Sequence, residues 1–572
     1  MDSVLHAYGP DGRPTLRNWQ EIMKPHRLAA MQPSRLSGTR AMINKMVRER
    51  WEITRERFDI EADASGTFVY SIKTPTRDFC FIGFSFPPKP EGRTGRIIGR
   101  SWDMMGTLNE GPASEADIER ARVELPKLYR GRAGENALVW CRSNRSMRAF
   151  NAALDALAEG RQPAIEDLNA VCYLMRNTGL DGNGTFGTRS FPSLGKDHPL
   201  GGVLEAQLLH GYLMREFACD LVEHLARLKS ETAVPLAPEI RRYLGVGNGS
   251  ALGLIFFVHR HPRLMNAWIS GREQAIALAL GLELGAGDPR IDTLIGHLQR
   301  AITFRTQDRM VYETFASSER IAKELSGLAS KLEELRERGT VGGVPHPYPL
   351  DHIAVTAEAT LAPETYETFL SLIIELVADE ADRIAAAVEG PDEFVVEPRM
   401  TVAGLKAILC SEYAWALDID MSAPSANTFV WYKSETAEEP RRGARAEVPE
   451  ARDLGLDVPG DVQRMMADLK AEDGGLSVAR FLFKHPEHRL MAARVQNLAG
   501  SYFHTPHANI NGEDFVPIDL VRLMNVAVHG IDKTRDYLQR NLRGVLYHGA
   551  PTPDDIRAGR GDAWFYPEEP RL

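Results

Sequence analysis

The period of the hydrophobic pattern changes along this chain. Three early runs at 67–72, 79–86 and 95–102 are rich in β-branched and aromatic residues. Turn-forming segments at 74–78 and 87–92 separate them, so the pattern predicts an antiparallel meander. A further strand is predicted at 137–141, and strand character returns late, at 428–432 and 544–548. The late runs are candidates to complete the early meander, with the helical middle of the chain as an insertion.

Elsewhere the period is helical. The first sixty residues carry dense charge and predict helix, and helical character dominates after Cys141. It is clearest where Ile321, Leu325, Leu328, Leu332 and Leu335 recur at alternating spacings of four and three. This heptad seam predicts packing against another helix of the same chain, such as 366–388, whose Leu370, Ile373, Val377, Ile384 and Val388 form a second stripe. A homodimer through the seam is the alternative.

The expected fold is therefore α+β and predominantly α-helical, a helical core with a small antiparallel sheet built from N-terminal strands and candidate C-terminal ones. Breaks at 339–350, rich in Gly and Pro, and at 434–459, rich in charge, divide the chain. The expected regions are an N-terminal helix plus meander at 1–142, and a helical region carrying two Gly-Asn-Gly loops at 143–338. A helical region at 351–433 and a C-terminal helical region with a late strand at 460–572 follow.

The two loops carry the strongest functional signal. The first contains Arg176-Asn177-Thr178, then Asp181-Gly182-Asn183-Gly184, and reaches Arg189; the second is Gly245-Val246-Gly247-Asn248-Gly249-Ser250. Segments this rich in Gly and Asn reach positive φ at successive positions and can turn backbone N–H groups toward an anion. In the second, Ser250 is a natural N-cap for the apolar run that follows. The ligand-binding candidates are accordingly Arg176, Asn177, Thr178, Gly182, Asn183, Gly184, Arg189, Gly247, Asn248, Gly249 and Ser250. A tight turn between helices with close backbone packing explains the second loop equally well. The second segment is neither a dinucleotide fingerprint nor a P-loop.

The first loop is similar to the Gly-Asn-Gly element of Fic-type nucleotidyl transferases. It departs from that pattern where the family has His and Arg, since Asn177 and Thr185 stand there. Both loops, with Arg142-Ser143-Asn144-Arg145, Trp102-Asp103-Met104-Met105, Trp431-Tyr432-Lys433-Ser434-Glu435, Pro517-Ile518-Asp519 and Gly549-Ala550-Pro551, resemble a group of bacterial proteins of about this length. That resemblance implies no activity or cofactor.

Composition narrows the partners. The 572 residues have a formal net charge of -10, which gives no global attraction to nucleic acid or to an anionic membrane. The basic stretches 45–57 and 142–148 are expected to be solvated helix faces or a phosphate-sized pocket. The five cysteines are scattered without a C-x-x-C pair, arguing against a disulfide framework or metal ribbon and for a reducing compartment. No apolar run approaches the roughly 18 residues of a membrane span, so the expected location is cytoplasmic, with no membrane partner.

Near the loops, Asp181, Glu205 and His210 are the candidates for acid–base catalysis, with Glu216 and His224 in the same region. The favoured reading is an enzyme acting on a small carboxylate- or phosphate-bearing metabolite, with reaction type and cofactor unassigned. No metal ligand is assigned. His259-x-His261, His485-x-x-His488 and His504-x-x-His507 nevertheless offer an alternative, a His-ligated metal or haem enzyme. A non-catalytic scaffold assembling through helical surfaces is the other.

Overall fold

Strand pairing organises the first half of the molecule. In the computed structural model, which describes residues 3–89, 102–127, 136–177, 198–201, 204–248, 262–307, 316–388, 396–432, 441–442, 456–496, 522–530, 544–561 and 566–570, eight strands form one mixed sheet. These are β1 (Glu52–Ile60), β2 (Gly66–Lys73), β3 (Asp78–Ser85), β4 (Met104–Glu110), β5 (Ala137–Arg145), β6 (Tyr173–Asn177), β7 (Gly245–Asn248) and a late strand, Gly544–Leu546. The sheet follows chain order from β1 to β7 and closes on the late strand. Every neighbouring pair is antiparallel except β6 and β7, which run parallel.

The small antiparallel sheet expected from the sequence is thus corrected to a large mixed one. The runs at 67–72 and 79–86 are strands, and the run at 95–102 lies almost wholly outside the described residues. Part of the difference lies in β1, where helix was expected. Its charged sequence, Glu-Ile-Thr-Arg-Glu-Arg-Phe, forms an exposed edge strand whose polar side chains face water, so no apolar alternation marks it. Before it, α1 (Gly38–Arg48) is the principal helix.

Period-two alternation sorts the central strands between two cores. Val69, Cys80, Ile82 and Phe84 pack with Ile118, Ala121 and Leu125, on and just after α2 (Glu115–Glu124). On the other face, Phe68, Tyr70, Ile72, Phe79 and Phe81 join the main core with α3 (Met147–Ala158) and α4 (Glu205–Lys229). There Phe217 of α4 stacks on Phe68 with centroids 3.9 Å apart.

The main core continues through α5 (Pro262–Leu280), α6 (Pro289–Gln307), α7 (Ser318–Arg338), α8 (Pro349–Thr360), α9 (Pro363–Ile373) and α10 (Ala378–Val388). The heptad seam lies on α7 and is buried inside the chain, chiefly against Ile291, Leu294 and Leu298 of α6 rather than against 366–388. A second copy of the chain would find that stripe already covered. Gly339, at φ 69°, ends α7 and opens the connection to α8.

A separate core begins near Val396. It gathers α11 (Val402–Glu412), α12 (Val458–Ala471), α13 (Val478–Lys484) and α14 (Arg489–Gln496), beside a small sheet of β8 (Val430–Tyr432), β9 (Arg441–Arg442) and β10 (Leu456–Asp457). Of the two late runs, 428–432 therefore joins this small sheet. The other supplies β11 (Gly544–Leu546), the last strand of the large one. Among the described residues no helix is long and apolar enough to cross a membrane.

Buried ion pairs fasten the N-terminal segment to the helices. The Arg17 guanidinium donates to both carboxylate oxygens of Glu273 at 2.7 and 2.6 Å and to Glu367 at 2.9 Å. Arg272 reaches Glu367 at 2.8 Å, and Arg35 and Arg40 share Glu375 at 3.0 Å. Removing one member leaves its partner charged and dry. Glu273→Ala is expected to lower the urea-unfolding free energy by about 3–5 kcal/mol. Glu21→Ala, in the exposed pair with Lys24, should change it by less than about 1 kcal/mol.

Candidate functional site

The two Gly-Asn-Gly segments start from neighbouring positions. Arg176 on β6 pairs with Gly247 on β7, and Asn177 with Asn248, at the carboxyl ends of the two parallel strands. From there the chain continues into 178–197 and 249–261. Thr178, Asp181, Gly182, Asn183, Gly184, Arg189, Gly249 and Ser250 lie outside the described residues.

The local structure corrects two expectations. Residues 173–175, in the stretch after Cys141 where helix was expected, are instead the body of β6, and Gly245–Asn248 is not a loop but β7, paired on both sides by β6 and β11. Neither Gly245 nor Gly247 has positive φ, so no nest forms over them. Their lack of a side chain serves close packing: a Cβ on Gly247 would lie 2.6 Å from the Tyr173 ring, and one on Gly245 2.5 Å from the Leu546 carbonyl oxygen. The β-branched and aromatic signal that marks a strand is missing here because glycines are required.

Register draws one row across the sheet: Ser143, Asn177, Asn248 and Gly544. Ser143 donates its hydroxyl to Asn177 Oδ1 at 3.4 Å, and Asn177 Nδ2 donates to Nδ1 of His210 on α4, also at 3.4 Å. That bond assigns the proton of the neutral ring to Nε2. At the other end of the row a Cβ on Gly544 would lie 2.2 Å from the His529 ring and 2.5 Å from Asn525 Oδ1, so these two side chains cover the glycine. They come from a π-helical turn, Asn525–His529, closed by Gly530 at φ 74°. Asn177 and Gly544 are two strand spacings apart, about 10 Å.

His210 is fully buried, and its Nε2 has no hydrogen-bond partner among the described residues. Gln207, one helical turn earlier on the same face, is buried with both amide atoms unpartnered. Orphaned donors and acceptors at such depth cost about 1–3 kcal/mol each. Three such atoms, on two residues of one helix face, lie beneath the last residue of β6. Desolvation lowers both His210 and His529 to a pKa of about 3, so both rings are neutral at physiological pH.

The remaining acid–base candidates sit elsewhere. Glu205 is paired with Lys45 at 3.0 Å and lines a cleft between α1, α4, α5 and α10, away from the sheet-facing His210. Glu216 binds Arg241 at 2.8 Å, and His224 Nε2 donates to the Ile60 carbonyl at 2.7 Å. The stretch 142–148 is not a solvated helix face: Arg142 and Arg145 are buried on β5, their guanidiniums over Trp102 and Phe150. Of the His pairs, His485 and His488 belong to the second core, and the other two lie outside the described residues.

Gln207, Asn525 and His529 were not legible as site residues, because each is brought in by packing and none stands in a motif; Ser143 stands in the Arg142-Ser143-Asn144-Arg145 segment, but its place in this row comes from strand register alone. No protein-family model matches the chain, and neither the curated proteins nor the solved structures yield a match.

The neutral imidazoles fix a pH dependence. An unfolded His binds its proton near the ordinary value of 6.5, whereas folded His210 does so only near 3. Unfolding therefore takes up a proton between those values, and stability is lost as pH falls through that window. Each ring adds a slope of about 1.4 kcal/mol per pH unit. His210→Gln should flatten the plot of unfolding free energy against pH by one such slope. An unchanged slope would mean that the ring is already protonated in the fold.

Proposed function

We propose that this chain is an enzyme acting on a small carboxylate- or phosphate-bearing metabolite, held where the segments after β6 and β7 begin. One observation carries the reading: both Gly-rich segments leave from the carboxyl ends of adjacent parallel strands, above a buried neutral histidine with an unpartnered Nε2. Open α/β sheets bind ligands at this end of their parallel strands, and this otherwise antiparallel sheet offers one such pair. Backbone amides from Thr178, Gly182, Asn183, Gly184, Gly249 and Ser250, with Arg176 and Arg189, would hold the anion by charge-assisted bonds. Neutral His210, oriented by Asn177, is suited to donate from Nε2 toward charge as it develops on the substrate, while adding no charge of its own. Asp181 is left as the proton carrier, since Glu205 is engaged by Lys45.

A thermal-shift screen against carboxylates, phosphates and nucleotides tests this. A ligand at a hundred times its dissociation constant adds about 2.7 kcal/mol of stability. One anionic class should raise the midpoint, and Arg176→Ala should weaken that ligand by about ten-fold, or about 1.4 kcal/mol. Silence across the panel, or a shift untouched by Arg176→Ala, contradicts the reading.

A further inference from the structure

The second core carries a different constellation. Pro486 cannot continue α13, so the chain stops at His485 and turns through the short helix Pro486–His488 into α14. This turn brings His485, Glu487 and His488 together beside Asp468 of α12. Each offers one ligand atom, and the four atoms lie within 4.8 Å of one another. His488 Nε2 is 2.7 Å from Asp468 Oδ2, and His485 Nδ1 is 3.9 Å from the same oxygen and 3.6 Å from Glu487 Oε1. Four ligands at bond lengths of about 2.0 Å around a tetrahedral ion stand ~3.3 Å from one another, so each of these three separations is within about 0.6 Å of that spacing.

Two further features are those of a metal centre rather than of a surface ion pair. His485 turns its other nitrogen, Nε2, to Glu472 Oε1 at 3.1 Å, and Lys484 holds the second oxygen of Glu472 at 2.7 Å. A carboxylate on the remote nitrogen orients a ligating imidazole and raises its basicity. The apolar wall is Phe481, whose ring lies parallel to His488 at 5.8 Å and tilted to His485 at 4.9 Å. Exposure grades across the cluster, from buried His488 to Glu487 at 60%, which leaves a route for an ion to enter.

We propose that His485, His488, Asp468 and Glu487 bind a divalent transition metal of the zinc class. Two imidazoles and two carboxylates suit zinc better than calcium or magnesium, which take all-oxygen shells, and there is no thiolate to select copper(I) or an iron–sulfur cluster. Two carboxylates and two neutral imidazoles balance a dication. The ion ties α12 to the turn between α13 and α14, fastening three helices of a core that is separate from the sheet. This site is independent of the anion-binding reading.

The test uses the full chain, stripped with a chelator and dialysed against Zn²⁺ or Co²⁺. One Zn²⁺ per chain should be retained by elemental analysis, and Co²⁺ should give the intense visible absorption of four-coordinate geometry. Asp468→Asn and His485→Ala should abolish both signals. Glu487→Gln, at an exposed position where folding is not at stake, should weaken Zn²⁺ by at least about ten-fold, and Glu472→Gln by about 10- to 100-fold. Failure to retain Zn²⁺, or retention unchanged in Asp468→Asn and Glu487→Gln, would overturn the proposal, since the ion would then be absent or held elsewhere.

Discussion

From 206 to 215 the helix α4 is buried on every side, between the sheet and the helices beyond it. Its own hydrogen bonds close within the helix, so the polar side chains it carries inward must find partners in whatever packs on them. Arg215 does so by donating to the carbonyls of Tyr547 and Ala550 at 3.3 and 2.8 Å, while the Tyr547 hydroxyl returns to the Leu208 carbonyl at 2.7 Å. These bonds fasten the late part of the chain to α4. They place β11 beside β7, three hundred residues away in sequence but paired through three residues of each strand.

The same helix supplies the centre of the candidate site. His210 meets the sheet where β6 ends, with Gln207 one helical turn earlier, and among the described residues only one polar atom of the imidazole and neither of the amide has a partner. The buried charges that hold the N-terminal segment are arranged differently. The four carboxylate and guanidinium groups of Arg17, Glu273, Arg272 and Glu367 are taken out of water together and meet one another at 2.6–3.5 Å. That pairing locks the N-terminal segment onto α5 and α9, while the unpartnered atoms of His210 and Gln207 are the ones that the proposed ligand would meet.

Much of the helical half was legible along the chain. The leucine stripe of α7 and the Gly339 stop follow from local rules of period and capping, while Pro349, read as part of the break at 339–350, is the first residue of α8. The strands fared unevenly, for physical reasons. β2 and β3 are visible because both faces are buried and apolar, whereas β1 hides behind charges that an edge strand can carry. β7 hides because its glycines yield their side-chain space to Tyr173 and to the backbone of β11. The Gly-Asn-Gly segments were found as unusual composition, and Arg176, Asn177 and His210 came with them. Asn525 and His529 were not found, since an ordinary Asn and His on an apolar stretch become notable only when a glycine on another strand makes room for them.

The sequence by itself determined the helical period, the seam, the points where glycine and proline halt a helix, and the two segments from which a site could be built. Those are properties of neighbours along the chain, set by backbone sterics and the spacing of apolar side chains. Tertiary structure alone decided that β6 and β7 lie parallel and adjacent, that the two segments begin side by side, and that Glu205 pairs with Lys45 instead of meeting His210. These depend on which surfaces bury each other across long loops. The interactions that select among such arrangements, a few buried hydrogen bonds and the fit of a ring against a glycine, leave no periodic trace in the sequence.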